Sequence, residues 1–273
     1  MKRFAIGSAE AGGPKLLVIA GPCVVEGADL CLAVAAHLKD ACAARGVPYV
    51  FKASYRKANR SSARSFEGLP FREALAILAE VRRKTGVPVL TDVHDEREIE
   101  PAAEVADALQ IPAFLSRQTS LLQAAARSGR AVNVKKGQFL APDDMRQVVE
   151  KLATAGCDRI LLTERGTTFG YHDLVVDMRG LVTMRELGWP VIYDATHSLQ
   201  RPGGVESGGE RKYAFPLMRA AVACGVDGLF FETHPEPARA KSDAATQLPL
   251  DQAEAFLDEA LRVRDAAGAG THA

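Results

Sequence analysis

The sequence has little that would mark it as anything but an ordinary globular chain. Its 273 residues include one Trp and only 6% aromatic residues, and 34 basic and 34 acidic side chains leave a formal net charge of zero. Because positive charge is not in excess, the chain has no global field to attract nucleic acid or an anionic membrane. The 47% hydrophobic content excludes disordered and collagen-like classes. Any anion binding must therefore come from local clusters of Lys and Arg.

Cysteine and long apolar runs are also scarce. The five cysteines form no CxxC motif, and a chain of this length can bury a full core without disulfides, so we expect reduced thiols and a cytoplasmic protein. The longest apolar run near the amino terminus spans 16–25, whereas a membrane helix needs roughly 18 residues. Lys2 and Arg3 precede an apolar stretch that Glu10 and Lys15 interrupt, so no signal peptide is predicted.

Short apolar runs rich in Val, Ile and Leu alternate with longer Ala-rich segments of helical period. We count eight such units without a linker between them, which predicts an α/β protein with one closed (β/α)8 TIM barrel over 16–266. Residues 1–15 are an N-terminal extension, expected to form a short strand pair at the bottom, and 1–273 is interpreted as a single barrel domain. The alternative is a doubly wound open sheet, but no GxGxxG follows the first strand.

The predicted elements have bounds that can be compared with a structure. The eight strands are expected at 16–21, 49–54, 87–93, 108–113, 131–136, 159–165, 191–197 and 228–233. The eight helices are expected at 29–45, 71–84, 96–106, 119–128, 143–155, 178–187, 211–224 and 251–266. Asp29, Thr119 and Asp143 stand at expected helix N-caps.

Barrel geometry separates the loops into two groups, because the turns that follow strands form the catalytic face of such folds. Basic residues gather at these strand ends: Lys52, Lys57, Arg60, Arg117, Lys135, Lys136 and Arg165. If they converge, they repel one another unless the ligand carries several negative charges. Scattered solvated surface charge is the alternative explanation. Asp92, at the end of the third strand, is a further candidate for substrate contact.

A second group at the strand ends has the chemistry of metal ligands. Cys23, His197, Glu232 and Asp243 follow strands one, seven and eight, which become neighbours when the barrel closes. Thiolate, imidazole and carboxylate together suit a divalent transition metal such as Fe²⁺, Zn²⁺, Mn²⁺ or Co²⁺. No local spacing motif supports the site, and each residue alone could be structural.

The loop after the seventh strand, 198–210, is long for a barrel and rich in glycine. A mobile lid that excludes water is one interpretation, and an ordinary surface loop is the other.

Seven strings spread over the chain resemble those of one enzyme family: AGPC at 20–23, KANRSS at 57–62, QIPAFLSRQT at 110–119, NVKKGQF at 133–139, TERGTTFGY at 163–171, DATHS at 194–198 and ETHPEPARAKSDAATQ at 232–247. Together they are similar to the 3-deoxy-D-manno-octulosonate 8-phosphate synthases, from about 16 to 266. The resemblance implies condensation of phosphoenolpyruvate with D-arabinose 5-phosphate and water, with release of phosphate, in lipopolysaccharide sugar biosynthesis.

The same resemblance implies roles for residues. By motif, Lys52, Lys57, Gln110, Lys135 and Arg165 correspond to a phosphoenolpyruvate pocket. The sugar phosphate site corresponds to Asn59, Arg60 and Ser61. Cys23 with the SDAATQ stretch implies the metal-dependent group of the family, in which Cys23, Lys57, His197 and Asp243 are expected to be catalytic. A homotetramer is also implied, with Arg117 acting across a subunit boundary.

Two rival functions stay open. Related enzymes that use erythrose 4-phosphate typically read KPRTSP and KRG where this chain has KANRSS and KKGQ, so Asn59, Arg60, Ser61 and Lys136 favour the five-carbon sugar. A non-catalytic barrel that binds a phosphosugar is the second rival.

Overall fold

Eight parallel strands form the centre of the protein. The computed structural model describes residues 1–58, 66–202 and 208–268. The barrel strands are β1 Leu17–Gly21, β2 Tyr49–Lys52, β3 Val89–Asp92, β4 Ala108–Ile111, β5 Ala131–Lys135, β6 Ile160–Glu164, β7 Val191–Asp194 and β8 Gly228–His234. Each pairs with the next in parallel, and β8 pairs with β1, so the sheet closes into a barrel.

A helix follows each strand and covers the outside of the barrel. The helices are α1 Ala28–Ala44, α2 Phe71–Thr85, α3 Glu96–Val105, α4 Thr119–Arg127, α5 Met145–Thr154, α6 Met178–Arg185, α7 Ala214–Ala223 and α8 Ala253–Ala266. The predicted (β/α)8 barrel is confirmed, and the predicted strands and helices end within a few residues of the observed ones. None of the helices described here combines the length and apolar character needed to cross a membrane.

The N-terminal extension forms an antiparallel hairpin from Phe4–Ile6 and Ala9–Ala11. Ile6, Ala9 and Ala11 pack onto inward-facing residues of the barrel such as Leu17. Leu17 is the first residue of β1. The hairpin therefore closes the amino-terminal end of the barrel. The second and larger apolar cluster lies between the sheet and the surrounding helices.

Short strand pairs extend three loops at the opposite, carboxyl-terminal end. Thr167–Gly170 pairs with Asp173–Val175, Gln200–Arg201 pairs with Gly208–Gly209, and Leu248–Pro249 continues beside β8. The loop proposed as a lid lies partly outside the described residues, at 203–207, so its interpretation stays a prediction.

The predicted N-caps were wrong. The helix α1 begins after Gly27, α4 begins at Thr119 itself, and Asp143 lies in the 3₁₀ turn that precedes α5. The side-chain caps belong instead to Asp95 and Asp177, which accept hydrogen bonds from the backbone N–H groups of the second helical residues of α3 and α6. Helix ends depend on one or two residues of local geometry that periodicity does not resolve.

Candidate active site

A cavity of about 290 Å³ opens at the carboxyl-terminal end of the barrel. Its walls come from the ends of β2 to β7 and the loops that follow them, which is where barrel folds place ligand sites. The polar and charged lining consists of Lys52, Arg56, Lys57, Asp92, His94, Gln110, Lys135, Gln138, Arg165, Asp194 and His197. Phe114, with 54% of its side chain exposed, adds an apolar edge.

Four of the seven basic side chains predicted to converge do so: Lys52, Lys57, Lys135 and Arg165 line the cavity. Arg56, which the sequence analysis did not single out, is a fifth cation in the lining. Several positive groups around one small cavity suit a ligand with several negative charges.

Lys136 and Arg117 do not join this group. Lys136 is buried beside the cavity, where Nζ donates to the carbonyl of Leu140 at 3.0 Å and to Thr167 Oγ1 at 2.9 Å. The expectation that it converges with the others was therefore wrong. Arg117 lies exposed on the surface, so a role across a subunit boundary stays a prediction. Arg60 lies outside the described residues, as do Asn59 and Ser61.

The four predicted metal ligands lie together at the edge of the cavity. Donor atoms of Cys23, Glu232 and Asp243 lie within 4.8 Å of one another. Nε2 of His197 is 3.6 Å from Glu232 Oε1 and 3.6 Å from Asp243 Oδ2. Metal–ligand distances of about 2.0–2.3 Å place neighbouring donors about 3.5 Å apart, so this spacing is close to that of a coordination shell.

Asp194 orients His197 for this role. Its Oδ2 lies 2.8 Å from His197 Nδ1, which leaves Nε2 to face the two carboxylates. A carboxylate on the outer ring nitrogen is a common support for a metal-binding histidine. Sequence reasoning missed Asp194, although it is the first residue of the DATHS string and its D-x-x-H spacing was readable.

The donor chemistry also fits a divalent cation. Oε2 of Glu232 is buried and has no hydrogen-bond partner among the described residues. Burial, reinforced by the charges of Asp243 and Glu232, raises the pKa of the Cys23 thiol well above its ordinary value. The thiol therefore keeps its proton unless a metal cation takes the proton's place.

The segment that carries Asp243 is held in an unusual conformation. Asp243 has a φ of +48°, in the left-handed region that residues with a Cβ seldom adopt. Next to it, Ser242 Oγ lies 3.0 Å from Cys23 Sγ. Strain of this kind persists where the surrounding structure fixes a functional side chain, and here it aims Asp243 at Cys23.

Two lysines face the buried Glu232 carboxylate. Lys52 Nζ is 2.7 Å from Oε1 and Lys57 Nζ is 3.6 Å from the same atom. Burial alone would raise the pKa of Glu232, but the two ammonium groups hold that pKa below its usual range. Burial would likewise lower the pKa of Lys57, but nearby acidic groups, among them the carboxylates of Glu232 and Asp243, raise it well above its ordinary value. Lys57 is therefore a cation at neutral pH.

Lys135 is in a different electrostatic position. Burial lowers its pKa to about 8, although Asp194 Oδ2 lies 2.5 Å from its Nζ and favours the charged form. The ammonium group also lies 3.1 Å from the centre of the Phe230 ring. An anionic ligand in the cavity would stabilise this cation.

The guanidinium group of Arg165 makes fewer hydrogen bonds than it can donate. Its Nη2 donates to Gln200 Oε1 at 2.7 Å, whereas the buried Nη1 has no partner in the described parts of the chain. A buried guanidinium N–H without a partner is costly, and its position in the lining makes it available to a ligand oxygen.

The barrel and this cavity define a class of protein: a (β/α)8 barrel whose mouth combines several cations with a Cys-His-Glu-Asp cluster. The chain belongs to the DAHP synthetase I family, whose family model matches residues 5–267. It is 56% identical, over 92% of both chains, to the "2-dehydro-3-deoxyphosphooctonate aldolase" of Syntrophotalea carbinolica. Proteins of the same name from Syntrophobacter fumaroxidans, at 51% over 98% of this chain and 96% of the relative, and Burkholderia mallei, at 54% over 88% of both, are also similar.

Proposed function

We propose that this protein is an enzyme that condenses phosphoenolpyruvate with D-arabinose 5-phosphate and water. The products are 3-deoxy-D-manno-octulosonate 8-phosphate and phosphate, in lipopolysaccharide sugar biosynthesis. The observation that carries the proposal is that Lys52, Lys57, Lys135 and Arg165 line one cavity with His197, whose Nε2 faces Glu232 and Asp243 beside Cys23. It occurs in a chain 51–56% identical to relatives that bear the aldolase name.

Phosphoenolpyruvate carries a phosphate and a carboxylate, and the cavity has cations for both. Arg165 offers its unpartnered Nη1. A bound anion would stabilise the charged form of Lys135, which burial disfavours. Gln110, at the end of β4, adds a neutral polar side chain to the same lining. These groups hold the enol so that its C3 faces the second substrate, which removes most of the entropic barrier to a two-substrate reaction.

The sugar phosphate is assigned to the loop after β2. Lys57 and Ala58 of this loop line the cavity, and Asn59, Arg60 and Ser61 follow directly in sequence. An arginine there suits the terminal phosphate, since its fork binds two phosphate oxygens. Asp92 lies on the same side of the cavity, fully buried and held ionised, and we assign it to contact with the sugar.

The reaction needs charge stabilisation more than a strong base. The π electrons of the enol attack the aldehyde carbon, and the aldehyde oxygen takes up a proton. Water then adds to the cationic C2 and releases a proton. The hemiketal phosphate collapses to a ketone at C2 as the C2–O bond to phosphate breaks, and the hydroxyl proton leaves with the phosphate. Lys57 stays protonated beside the cluster and stabilises negative charge on the aldehyde oxygen. The cations around the cavity offset the repulsion between the two phosphorylated substrates.

We assign the cluster of Cys23, His197, Glu232 and Asp243 to one divalent cation, Fe²⁺, Zn²⁺, Mn²⁺ or Co²⁺. Such an ion would supply Lewis-acid polarisation at the reacting oxygens. Thiolate, imidazole and carboxylate accept all four metals, so availability in the cell decides which one is bound. With Lys57, the residues Cys23, His197 and Asp243 make up the proposed catalytic set.

The assembly and location are also proposals. A homotetramer would place the exposed Arg117 at a neighbouring subunit, as the family resemblance implies, and the five free cysteines suit the reducing cytoplasm. The partners proposed are the two small-molecule substrates, with neither nucleic acid nor membrane.

One assay separates this function from its rivals. Phosphate release is measured from phosphoenolpyruvate with arabinose 5-phosphate and, separately, with erythrose 4-phosphate, because the family description names a DAHP synthetase. We expect release with the five-carbon sugar and loss of it on chelation. Preference for erythrose 4-phosphate would contradict the substrate, and binding of both ligands without phosphate release would favour the non-catalytic barrel.

A variant of Cys23 tests the assignment of the metal site. Cys23→Ala should lose both bound metal and phosphate release, whereas Cys224→Ala, at the half-buried residue that directly follows α7, should keep both. Full turnover by metal-free Cys23→Ala protein would remove the cation from the reaction.

A further inference from the structure

A line of side-chain hydrogen bonds crosses the inside of the barrel beside the cavity. Thr163 of β6 donates to Asn133 Oδ1 at 2.6 Å, and Asn133 Nδ2 of β5 donates to Gln110 Oε1 at 2.8 Å. Gln110 Nε2 of β4 donates in turn to Asp92 Oδ1 at the end of β3. All four side chains are buried, so four neighbouring strands are joined by donors that point the same way around the barrel.

The direction of this line is fixed by its last member. Asp92 is ionised, since Lys52, Lys57 and His94 outweigh the effect of burial and lower its pKa to about 2. An ionised carboxylate only accepts hydrogen bonds. Gln110 must therefore turn its amide nitrogen toward Asp92.

A second contact occupies the other oxygen of this carboxylate. Ser54 Oγ donates to Asp92 Oδ2 at 2.5 Å, while Lys52 Nζ donates to Ser54 Oγ at 2.9 Å. Each oxygen of Asp92 thus has its own donor, Ser54 at Oδ2 and Gln110 at Oδ1.

The other two residues reinforce this orientation of Gln110. The two ends of an amide have nearly the same shape, so only hydrogen bonds decide which end points where. A flipped Gln110 would place its carbonyl against Asp92 and its nitrogen against Asn133 Nδ2. Asn133 opposes this flip because its nitrogen donates to Gln110 Oε1, and the Thr163 hydroxyl supports that arrangement by donating to Asn133 Oδ1.

One N–H of Gln110 is left over in this arrangement. Its nitrogen carries two hydrogens, Asp92 takes one, and the Gln110 side chain lines the cavity. An anion in the cavity then meets an N–H donor rather than a carbonyl oxygen that would repel it. Neither Asn133 nor Thr163 is among the described side chains that form the lining.

We propose that Asn133 and Thr163 are positioning residues that hold the Gln110 amide with its free N–H directed at bound phosphoenolpyruvate. The inference rests on the proposed function for the identity of the anion. It concerns the binding of phosphoenolpyruvate and does not involve the proposed metal ligands.

Thr163→Val is the main test, because it removes the hydroxyl and keeps the shape. We expect the KM for phosphoenolpyruvate to rise roughly fivefold, the effect of one lost hydrogen bond, with kcat and the KM for arabinose 5-phosphate unchanged. Thr163→Ser keeps the donor and should restore the KM for phosphoenolpyruvate. Equal increases in both KM values, or a Thr163→Ser variant that behaves like Thr163→Val, would overturn the proposal in favour of a structural role.

A double-mutant cycle tests whether Gln110 carries the effect. In a Gln110→Ala background, Thr163→Val should change the KM for phosphoenolpyruvate no further, because the amide that it orients is gone. The same fivefold increase in that background would show that Thr163 acts by another route and would overturn the proposal.

Asn133→Asp should favour the flipped orientation of the Gln110 amide. The new carboxylate attracts Gln110 Nε2 away from Asp92, so the KM for phosphoenolpyruvate should rise more than in Thr163→Val; no increase would contradict the proposal. Calorimetric titration with phosphoenolpyruvate accompanies each variant. A wild-type protein that neither binds nor consumes phosphoenolpyruvate overturns the proposed function and this inference together, whereas normal wild-type turnover with unchanged Thr163→Val kinetics overturns this inference alone.

Discussion

The two ends of the barrel both bury carboxylates, but Glu232 at the carboxyl-terminal end keeps an oxygen that no described residue satisfies. At the amino-terminal end, Asp107 accepts from the backbone N–H of Val89 at 3.0 Å and pairs with Arg82 at 2.9 Å. Asp227 repeats the arrangement before β8, accepting from the backbone N–H of Val191 at 2.9 Å and pairing with Arg185 at 3.1 Å.

At the carboxyl-terminal end, several buried polar and charged groups are incompletely paired. Glu232 has an oxygen without a partner, Arg165 has a nitrogen without one in the described residues, and Lys135 is partly forced toward its neutral form. A charge that is fully hydrogen-bonded stabilises the fold, whereas a buried charge left incomplete costs free energy until a ligand completes it. The difference teaches that the same residue types are structural at one end and functional at the other.

The largest expected effect comes from the incomplete end. Glu232→Gln removes the charge that faces Lys52 and Lys57 and one anionic ligand of the proposed cation, so kcat/KM should fall by about 10³ or more. Steady-state phosphate release and metal analysis of the purified variant measure both losses. Near-normal activity would show that the open carboxylate is not functional, and the comparison between the ends would fail.

The hairpin at the closed end should matter for stability alone. Ile6 is 1% exposed and packs against the barrel interior, so Ile6→Ala should lower the free energy of unfolding by about 3 kcal/mol, with Ile6→Val costing about 1 kcal/mol. Denaturant unfolding measures the change, and the kinetic constants of the folded variants should match the wild type. A selective rise in one KM would give the closed end a part in function.

A charged residue at the closed end sharpens the contrast with Glu232. Asp227→Asn keeps the shape but weakens the contacts with Arg185 and the Val191 backbone, which should cost about 2 kcal/mol of stability. Thermal unfolding should show a lower midpoint and unchanged kcat/KM. Lost activity in a protein of wild-type stability would reverse the roles assigned to the two carboxylates.

The fold could largely be predicted because the local sequence pattern of each segment agrees with its place in the barrel. Apolar strands such as β1 and β8, each buried along its whole length, alternate with amphipathic helices, and eight such units predict closure. Closure in turn brings Cys23 beside Asp243, 220 positions away. The convergence of Cys23, His197, Glu232 and Asp243 followed from the fold, together with the family resemblance.

The sequence could not decide how individual side chains turn. Lys135 is the last residue of β5 and Lys136 follows it directly; because successive residues of an extended chain point to opposite faces, only Lys135 lines the cavity. Asp194 was missed because its function lies in its contact with His197. The amide orientation of Gln110 depends on hydrogen bonds from strands far apart in sequence, and no local pattern encodes it.

The smallest predicted effect is a pH dependence that tests the open end without a mutation. Lys135 has its pKa lowered from an ordinary 10.5 to about 8 by burial, so it is charged below pH 8 and loses its proton above it. Since the charged form binds the anionic substrate, kcat/KM for phosphoenolpyruvate should fall by up to about tenfold per pH unit above pH 8.

The sign of the matching stability effect is opposite. A lysine whose pKa is lower in the folded protein binds fewer protons there than in the unfolded chain, so its contribution to the free energy of unfolding grows as pH rises from about 8 toward 10.5. Affinity for phosphoenolpyruvate and stability should therefore move in opposite directions across this window. Lys135→Arg keeps its charge throughout, and its binding profile should be flat where the wild type declines. A wild-type profile that is equally flat would mean that Lys135 stays protonated, so that this end of the barrel satisfies its charges as fully as the other.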